Sequence, residues 1–371
     1  MKVRCQRQAI LKALHTLSNV VIQTELHPIL INVRITTSAE GLIFRATDLS
    51  ISLTYTLPLS EVEILEEGEV LLPAVKLYNL LKETPDTTIV LEQEELNGIL
   101  LCNDGRFCLF GEDIKKFPEI EAFQENICLE LPGGVLQKLI KKTIFASTLE
   151  KTRFDLDNIL IDFVDDNIMR VVATDGKRLA TCETNYNLVG TLPSKSITVP
   201  IKCVQQIDKV LNSLNPETIQ VMFSDNHILL KTANCILSSR LSDAKFPNYS
   251  KVIPQNLDAQ VTCLHQDFNS ALKRLCFMTD NKNKVVLIDF SPTTMRLSAR
   301  SDAAGDAIIE MPCVFTGEPF EIKFNPNFLL DVLRVTEDNE LHILLKNSEA
   351  PFLFKDGNDF QYLVLPLRQD D

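Results

Sequence analysis

The chain repeats itself three times, and this limits its fold more than any other feature of the sequence. Strand–helix segments recur at a period of about 127 residues: VLLPAVKLYNLLKE at 70–83, ITVPIKCVQQIDKVL at 197–211 and IKFNPNFLLDVLRV at 322–335. Each alternates apolar residues, meets a proline, and then takes the i, i+3, i+4 spacing of an amphipathic helix. Proline suits a helix start because the N–H it lacks would have no helical partner there. A second element recurs out of phase with the first: FRATDLSISL at 44–53, VVATDGKRLA at 171–180 and LSARSDAAGDA at 297–307. A helix opens each unit in RQAILKALHTL, GGVLQKLIKKTIF and QDFNSALKRLCF, and the turns FPEIEAF and FPNYSKVIP close the first two. Three landmarks in one order at near-equal spacing predict three domains, 1–125, 126–253 and 254–371. Each is expected to hold two helices among short strands such as ISLTYTL, IQVMF and LHILLK, which alternate as half-buried strands do. The expected class is α+β with antiparallel sheets. A solenoid is disfavoured because each unit is long enough for its own core.

Composition excludes several functions. Hydrophobic residues make up 45% and charged residues 23% of the 371, the balance of a globular chain. No stretch approaches the ~20 apolar residues that span a bilayer, and MKVRCQRQAILKALHTL reads as folded protein, not as a signal peptide. The 10 cysteines form no C-x-x-C pair, which argues against zinc ribbons and dithiol redox sites. Most sit among apolar neighbours, so a reducing cytoplasm is the expected location. There is no phosphate-binding glycine loop, no HExxH and no GxSxG, and the five histidines have no metal-ligand spacing. Asp48 and Asp175 are the plausible catalytic carboxylates, yet their recurrence in successive units favours turns in which Asp accepts from nearby backbone N–H groups. The chain is therefore expected to be no enzyme and to need no cofactor or metal.

A net charge of −13 argues against nucleic acid until its distribution is read. The helical windows 6–18, 74–83, 133–146, 201–212, 266–277 and 325–335 hold twelve Lys and Arg against four Asp and Glu, so the six helices carry +8 and the rest −21. One such helix alone would be an ordinary solvated one. Five net-positive helices in an acidic chain predict a basic lane, provided the repeats turn their helices to one face. Phosphate contact needs only such a local lane, because distant acidic charge is screened within ~8–10 Å. The residues expected on it are Arg7, Lys12, Lys76, Lys82, Lys138, Lys141, Lys142, Lys202, Lys209, Lys273 and Arg274. A protein-binding scaffold of the same repeats would not need one.

The segments ATDGKRLA at 173–180, FPNYSKVIP at 246–254, FNPNFLLDVL at 324–333 and the terminal YLVLPLR at 362–368 resemble the bacterial DNA polymerase III beta subunit, the sliding clamp, and the likeness extends over essentially the whole chain. The resemblance implies three clamp domains per subunit and a head-to-tail homodimeric ring, helices lining the hole and sheets outside. It implies a non-catalytic processivity factor that encircles duplex DNA without reading its sequence. The replicative polymerase, clamp-loader subunits and other clamp-binding proteins would be tethered through a peptide pocket. Carried over residue by residue, the pocket would use Arg153, Leu156, Thr174, Gly176, Lys177, Arg178, Leu179, Pro247, Lys251, Val252, Asn325, Phe328, Pro351, Leu363, Val364, Leu365, Pro366, Leu367 and Arg368. The same resemblance implies a subunit interface in which Phe107 and Leu109 meet Cys276 and Phe277. Read from the residues alone, Leu179, Pro247, Val252, Leu363 and Leu365 are apolar enough to accept a Leu or Phe anchor.

Overall fold

The computed structural model describes residues 1–18, 20–21, 27–120, 128–149, 156–165, 167–190, 192, 194–224, 226–254, 257–280 and 284–367. Arg153 and Arg368 lie outside them. Among the described residues there are six α-helices: α1 (Arg7–Ser18), α2 (Ala74–Glu83), α3 (Gly133–Thr143), α4 (Ile201–Leu214), α5 (His265–Cys276) and α6 (Pro326–Leu333). Every one directly follows a short strand or the residue after it, as the repeated strand–proline–helix pattern predicts for α2, α4 and α6. Their starts are marked in the sequence. Pro73 precedes α2 at φ −64°, and Asn325 caps α6 by accepting the Asn327 N–H at 3.0 Å.

The chain divides into two compact units. The first comprises Met1–Gln137, Tyr186–Ser194 and Lys202–Ser242; the second comprises Lys138–Asn185, Lys195–Ile201 and Asp243–Asp371. Each holds one nine-stranded antiparallel sheet that crosses a repeat boundary. In the first unit Cys235–Arg240 pairs with Ile51–Pro58, and in the second Phe360–Val364 pairs with Arg178–Asn185. Both joints follow one rule. The strand leaving the recurrent turn of one repeat takes the last strand of the next as its neighbour, which satisfies backbone groups that would otherwise line an open edge. Each unit also has a smaller sheet. The five-stranded sheet of the first ends in Gly105–Leu109, and the four-stranded sheet of the second ends in Gly305–Pro312.

The recurrent turn is one structure built twice. Thr47 Oγ1 donates to the Ile51 carbonyl and accepts the Leu49 N–H, while Asp48 Oδ1 accepts the N–H groups of Ser50 and Ile51. Thr174 and Asp175 repeat all four bonds with Arg178, Gly176 and Lys177. The third residue must take a left-handed conformation, at φ +85° in Gly176 and +74° in Leu49. In the third repeat Ser301 Oγ accepts the N–H groups of Ala303 and Ala304, and Gly305 has φ +99°. Asp48 and Asp175 are therefore turn residues, as their recurrence predicts.

Candidate peptide pocket, basic helices and sheet edges

The second unit contains a pocket of about 200 Å³ at its sheet joint. Leu156, Leu179, Pro247, Val252, Leu363 and Leu365 supply an apolar wall, with Thr174, Gly176, Lys177, Arg178 and Tyr249 completing it. Its floor follows from register. Leu179 stands directly opposite Leu363, and Leu363 opposite Leu353. These residues are buried with Leu160, Val172 and Tyr249 in one cluster, so the floor is the outer surface of a packed core. Above it Leu365 is 38% and Val252 48% exposed, which leaves apolar surface facing water in a concave site. The equivalent joint in the first unit pairs Ser52 with Ser238 where this one pairs Leu179 with Leu363. That pair of serines offers no apolar floor.

Several residues expected in the pocket are not among those lining the cavity. Val364 is fully buried because successive side chains of a strand alternate, so its neighbours Leu363 and Leu365 face the pocket and it faces the core. Asn325 is occupied as the cap of α6. Leu367 continues the chain away, its N–H donating to the Lys323 carbonyl at 2.9 Å. Lys251 is exposed in the short helical turn Tyr249–Lys251, and Pro351 and Pro366 are half-buried outside the wall. Phe328 is half-buried behind Arg178, whose guanidinium sits 4.5 Å from its ring centre. Tyr249 was missed, although it stands in the FPNYSKVIP turn. Its hydroxyl donates to Asp162 at 2.7 Å and accepts from Arg170 at 2.9 Å, anchoring the ring behind the pocket.

On the helices, Lys12, Lys76, Lys82, Lys202 and Lys209 in the first unit are exposed, as are Lys138, Lys141, Lys273 and Arg274 in the second. Lys138 shares its charge with Asp359 at 2.9 Å. Two of the residues expected on the lane are not exposed. Lys142 is 3% exposed, ion-paired with Asp356 at 2.6 Å and set over the Phe360 ring. Arg7 is half-buried and donates to the carbonyls of Leu81 and Lys82, closing the C-terminus of α2. His265 does the same for α6 through Nε2 and the Leu333 carbonyl at 2.8 Å.

Unburied apolar groups lie on the edge strand of the first unit and at the end of α5 in the second. Phe107 is exposed, Leu109 is half-buried, and Phe110 just beyond is nearly bare. At the end of α5, Cys276 is half-buried and Phe277 is 82% exposed. Exposed aromatics beside an unpaired strand edge mark an association surface.

Comparison with known proteins agrees along the full length. The models for the DNA polymerase III beta subunit match in order: the N-terminal domain over residues 1–121, the central domain over 130–248 and the C-terminal domain over 250–368. The beta sliding clamp of Pseudomonas putida is 29% identical over 372 residues, covering 99% of this chain and 100% of its own. Among solved structures, the sliding clamp of Bacillus subtilis superposes with a TM-score of 0.93 at 26% identity, covering 100% of this chain and 99% of that one. A sliding clamp from Pseudomonas aeruginosa bound to griselimycin gives 0.92 at 27% identity, with 99% of each chain covered. With all three of its domain models matched in sequence order, the chain belongs to the DNA polymerase III beta subunit family, the sliding clamps.

Proposed function

We propose that the chain is a DNA sliding clamp in which domains 1–125, 126–253 and 254–371 join head to tail with a second copy to close a ring around duplex DNA. The observation that carries this is a missing joint. Two of the three recurrent turns feed strands already paired to the next repeat. The third feeds Gly305–Pro312, the outer strand of a four-stranded sheet, while the last strand of the first repeat, Gly105–Leu109, is the outer strand of a five-stranded one. Joined between copies, they make a third sheet of nine, the size of the other two. A two-fold, head-to-tail arrangement joins these two edges twice and leaves neither of them open.

Exposed lysines on five helices supply the DNA-facing charge, spread over many weak phosphate contacts that hold the duplex without reading it. Membership of this family makes the protein a non-catalytic processivity factor. No helix among the described residues is long and apolar enough to cross a membrane. A reducing cytoplasm suits the cysteines: burial pushes the thiols of Cys5, Cys203, Cys235 and Cys263 up to about 12, which keeps them protonated and inert. The test is topological. The protein loaded on nicked circular DNA should remain bound at moderate salt and be lost when the circle is linearised. Equal retention on both forms would rule out encirclement.

The pocket is proposed as the tether for polymerase, clamp-loader and other DNA-handling partners, taking an extended peptide with Leu or Phe anchors. Each anchor buried against Leu179, Val252 and Leu363 contributes about 1.5–3 kcal/mol. Truncating Leu179 and Val252 together to alanine should weaken a synthetic peptide ending in Leu-Phe by at least about tenfold in calorimetry, with melting and dimer mass near normal. Undiminished binding would put the partner site elsewhere.

A further inference from the structure

Arg178 lines the pocket, but its charge is turned away from a partner. The side chain is only 10% exposed. Its Nε donates to Asp175 Oδ2 at 3.0 Å and one terminal nitrogen donates to Asp331 Oδ2 at 2.6 Å. The guanidinium plane is held over Phe328, 4.5 Å from the ring centre, with Phe145 at 5.8 Å. Phe328 is fixed in turn, because its carbonyl accepts the buried Tyr362 hydroxyl at 2.9 Å. The same Arg178 closes the recurrent turn through its own backbone: its N–H reaches Asp175 and its carbonyl takes the Thr174 hydroxyl at 2.6 Å. One residue thus ties the rim at Gly176 and Lys177, the floor at Leu179 and helix α6.

We propose that Asp331 is the positioning residue of the peptide pocket: acting through Arg178, it holds the 174–179 rim in the shape that accepts an apolar anchor. Asp331 is on α6 and outside the pocket wall. Without it the guanidinium keeps Asp175, the Tyr362 hydroxyl and the Phe328 ring but loses its charged acceptor on the helix. A poorly hydrated cation left half-satisfied turns toward water, and its route to water is the pocket. The turn holding Gly176 then loses its fixed position over Leu156, and the pocket must be re-formed at the expense of affinity. The other Asp331 oxygen accepts from Arg334, a 72% exposed side chain at 2.8 Å, which has no tie to the rim.

This inference rests on the reading of the pocket as a peptide site, and its test separates the two. Binding of a synthetic peptide ending in Leu-Phe is measured by calorimetry on the full-length dimer. Asp331→Ala should weaken binding by about tenfold, and Asp331→Asn, which keeps an acceptor for Arg178, should recover about half of that loss in free energy. Arg334→Ala should bind as the unaltered chain does. In an Arg178→Ala background, Asp331→Ala should cost nothing further, the signature of action through that arginine. If alanine at 331 does not give a folded dimer, Asp331→Asn carries the test with an expected loss of about threefold. Unchanged affinity in the Asp331 variants, or losses that add across the two positions, overturns the proposal and leaves the pocket reading standing. Failure of the unaltered chain to bind the peptide overturns both.

Discussion

Replacing Leu109 or Phe277 by aspartate should turn the dimer into monomers in sedimentation velocity, with the dissociation constant raised by at least about a thousandfold. The internal joints give the pairing expected at the seam. Ile51 is the fourth residue after Thr47 and stands opposite Ser239; Arg178 is the fourth after Thr174 and stands opposite Val364. Ser239 is the fourth residue after Cys235 at its hairpin, and Val364 the fourth after Phe360. Applied to the third turn, the rule sets Gly305, fourth after Ser301, opposite Leu109, fourth after Gly105, and Ala307 opposite Phe107. Leu109 then lies inside a new sheet, and an aspartate there would be desolvated without a partner, a cost of several kcal/mol. Phe277 loses its exposure on assembly, worth about 2–3 kcal/mol per buried ring. Each change occurs twice in a closed dimer, so the effects double. Unaltered dimer affinity in both variants would move the seam to other strands.

The sequence made the repeats readable because each landmark has a local cause: proline before a helix, a hydroxyl and an aspartate at a turn, alternation in a strand. The turn at 174–178 was legible as structure, and most of the pocket wall with it, since the wall is the turn, the strand after it and the strand it pairs with. What local pattern could not supply was the far side of each contact. The resemblance of the whole YLVLPLR segment groups Val364 with the wall, although strand alternation alone turns it inward. Lys142 shares the i, i+3, i+4 stripe of Lys138 and Lys141, and nothing nearby says that the stripe's last member turns under the helix. Its partner Asp356 is 214 residues away. The charge of Arg7 points to the lane, but its acceptors are backbone carbonyls at the end of another helix, which carry no sequence signal. The sheet joints were invisible for the same reason. They are pairings between repeats, and periodicity describes only what happens within one.

Lys142→Met should destabilise the second unit by about 3–5 kcal/mol, the second large effect expected of a single change, although the residue lies on a helix otherwise lined with exposed lysines. The ammonium and the Asp356 carboxylate are 3% and 5% exposed, at 2.6 Å. Methionine fills the volume but leaves a carboxylate buried, with the Glu337 N–H at 3.4 Å as a remaining donor. For Asp356 burial works to raise the carboxyl, but the hydrogen bond and charge of Lys142 hold it below its ordinary 3.8. A depressed carboxyl stabilises the fold fully above its unfolded value, and that contribution disappears as pH falls through the folded value. In Lys142→Met burial is left dominant and the carboxyl rises above the ordinary value, so the variant regains stability as pH falls and Asp356 takes a proton. The gap between the two proteins should therefore be widest near neutral pH and close below about pH 4. With no tryptophan in the chain, urea unfolding is best followed by circular dichroism at several pH values. Replacing both partners, Lys142→Met with Asp356→Leu, removes the unpaired charge and should restore most of the loss at neutral pH and abolish the difference in slope. A neutral-pH loss under about 1 kcal/mol for the single change would mean that water reaches the pair. In that case Lys142 would rejoin the solvated lysines of the helices.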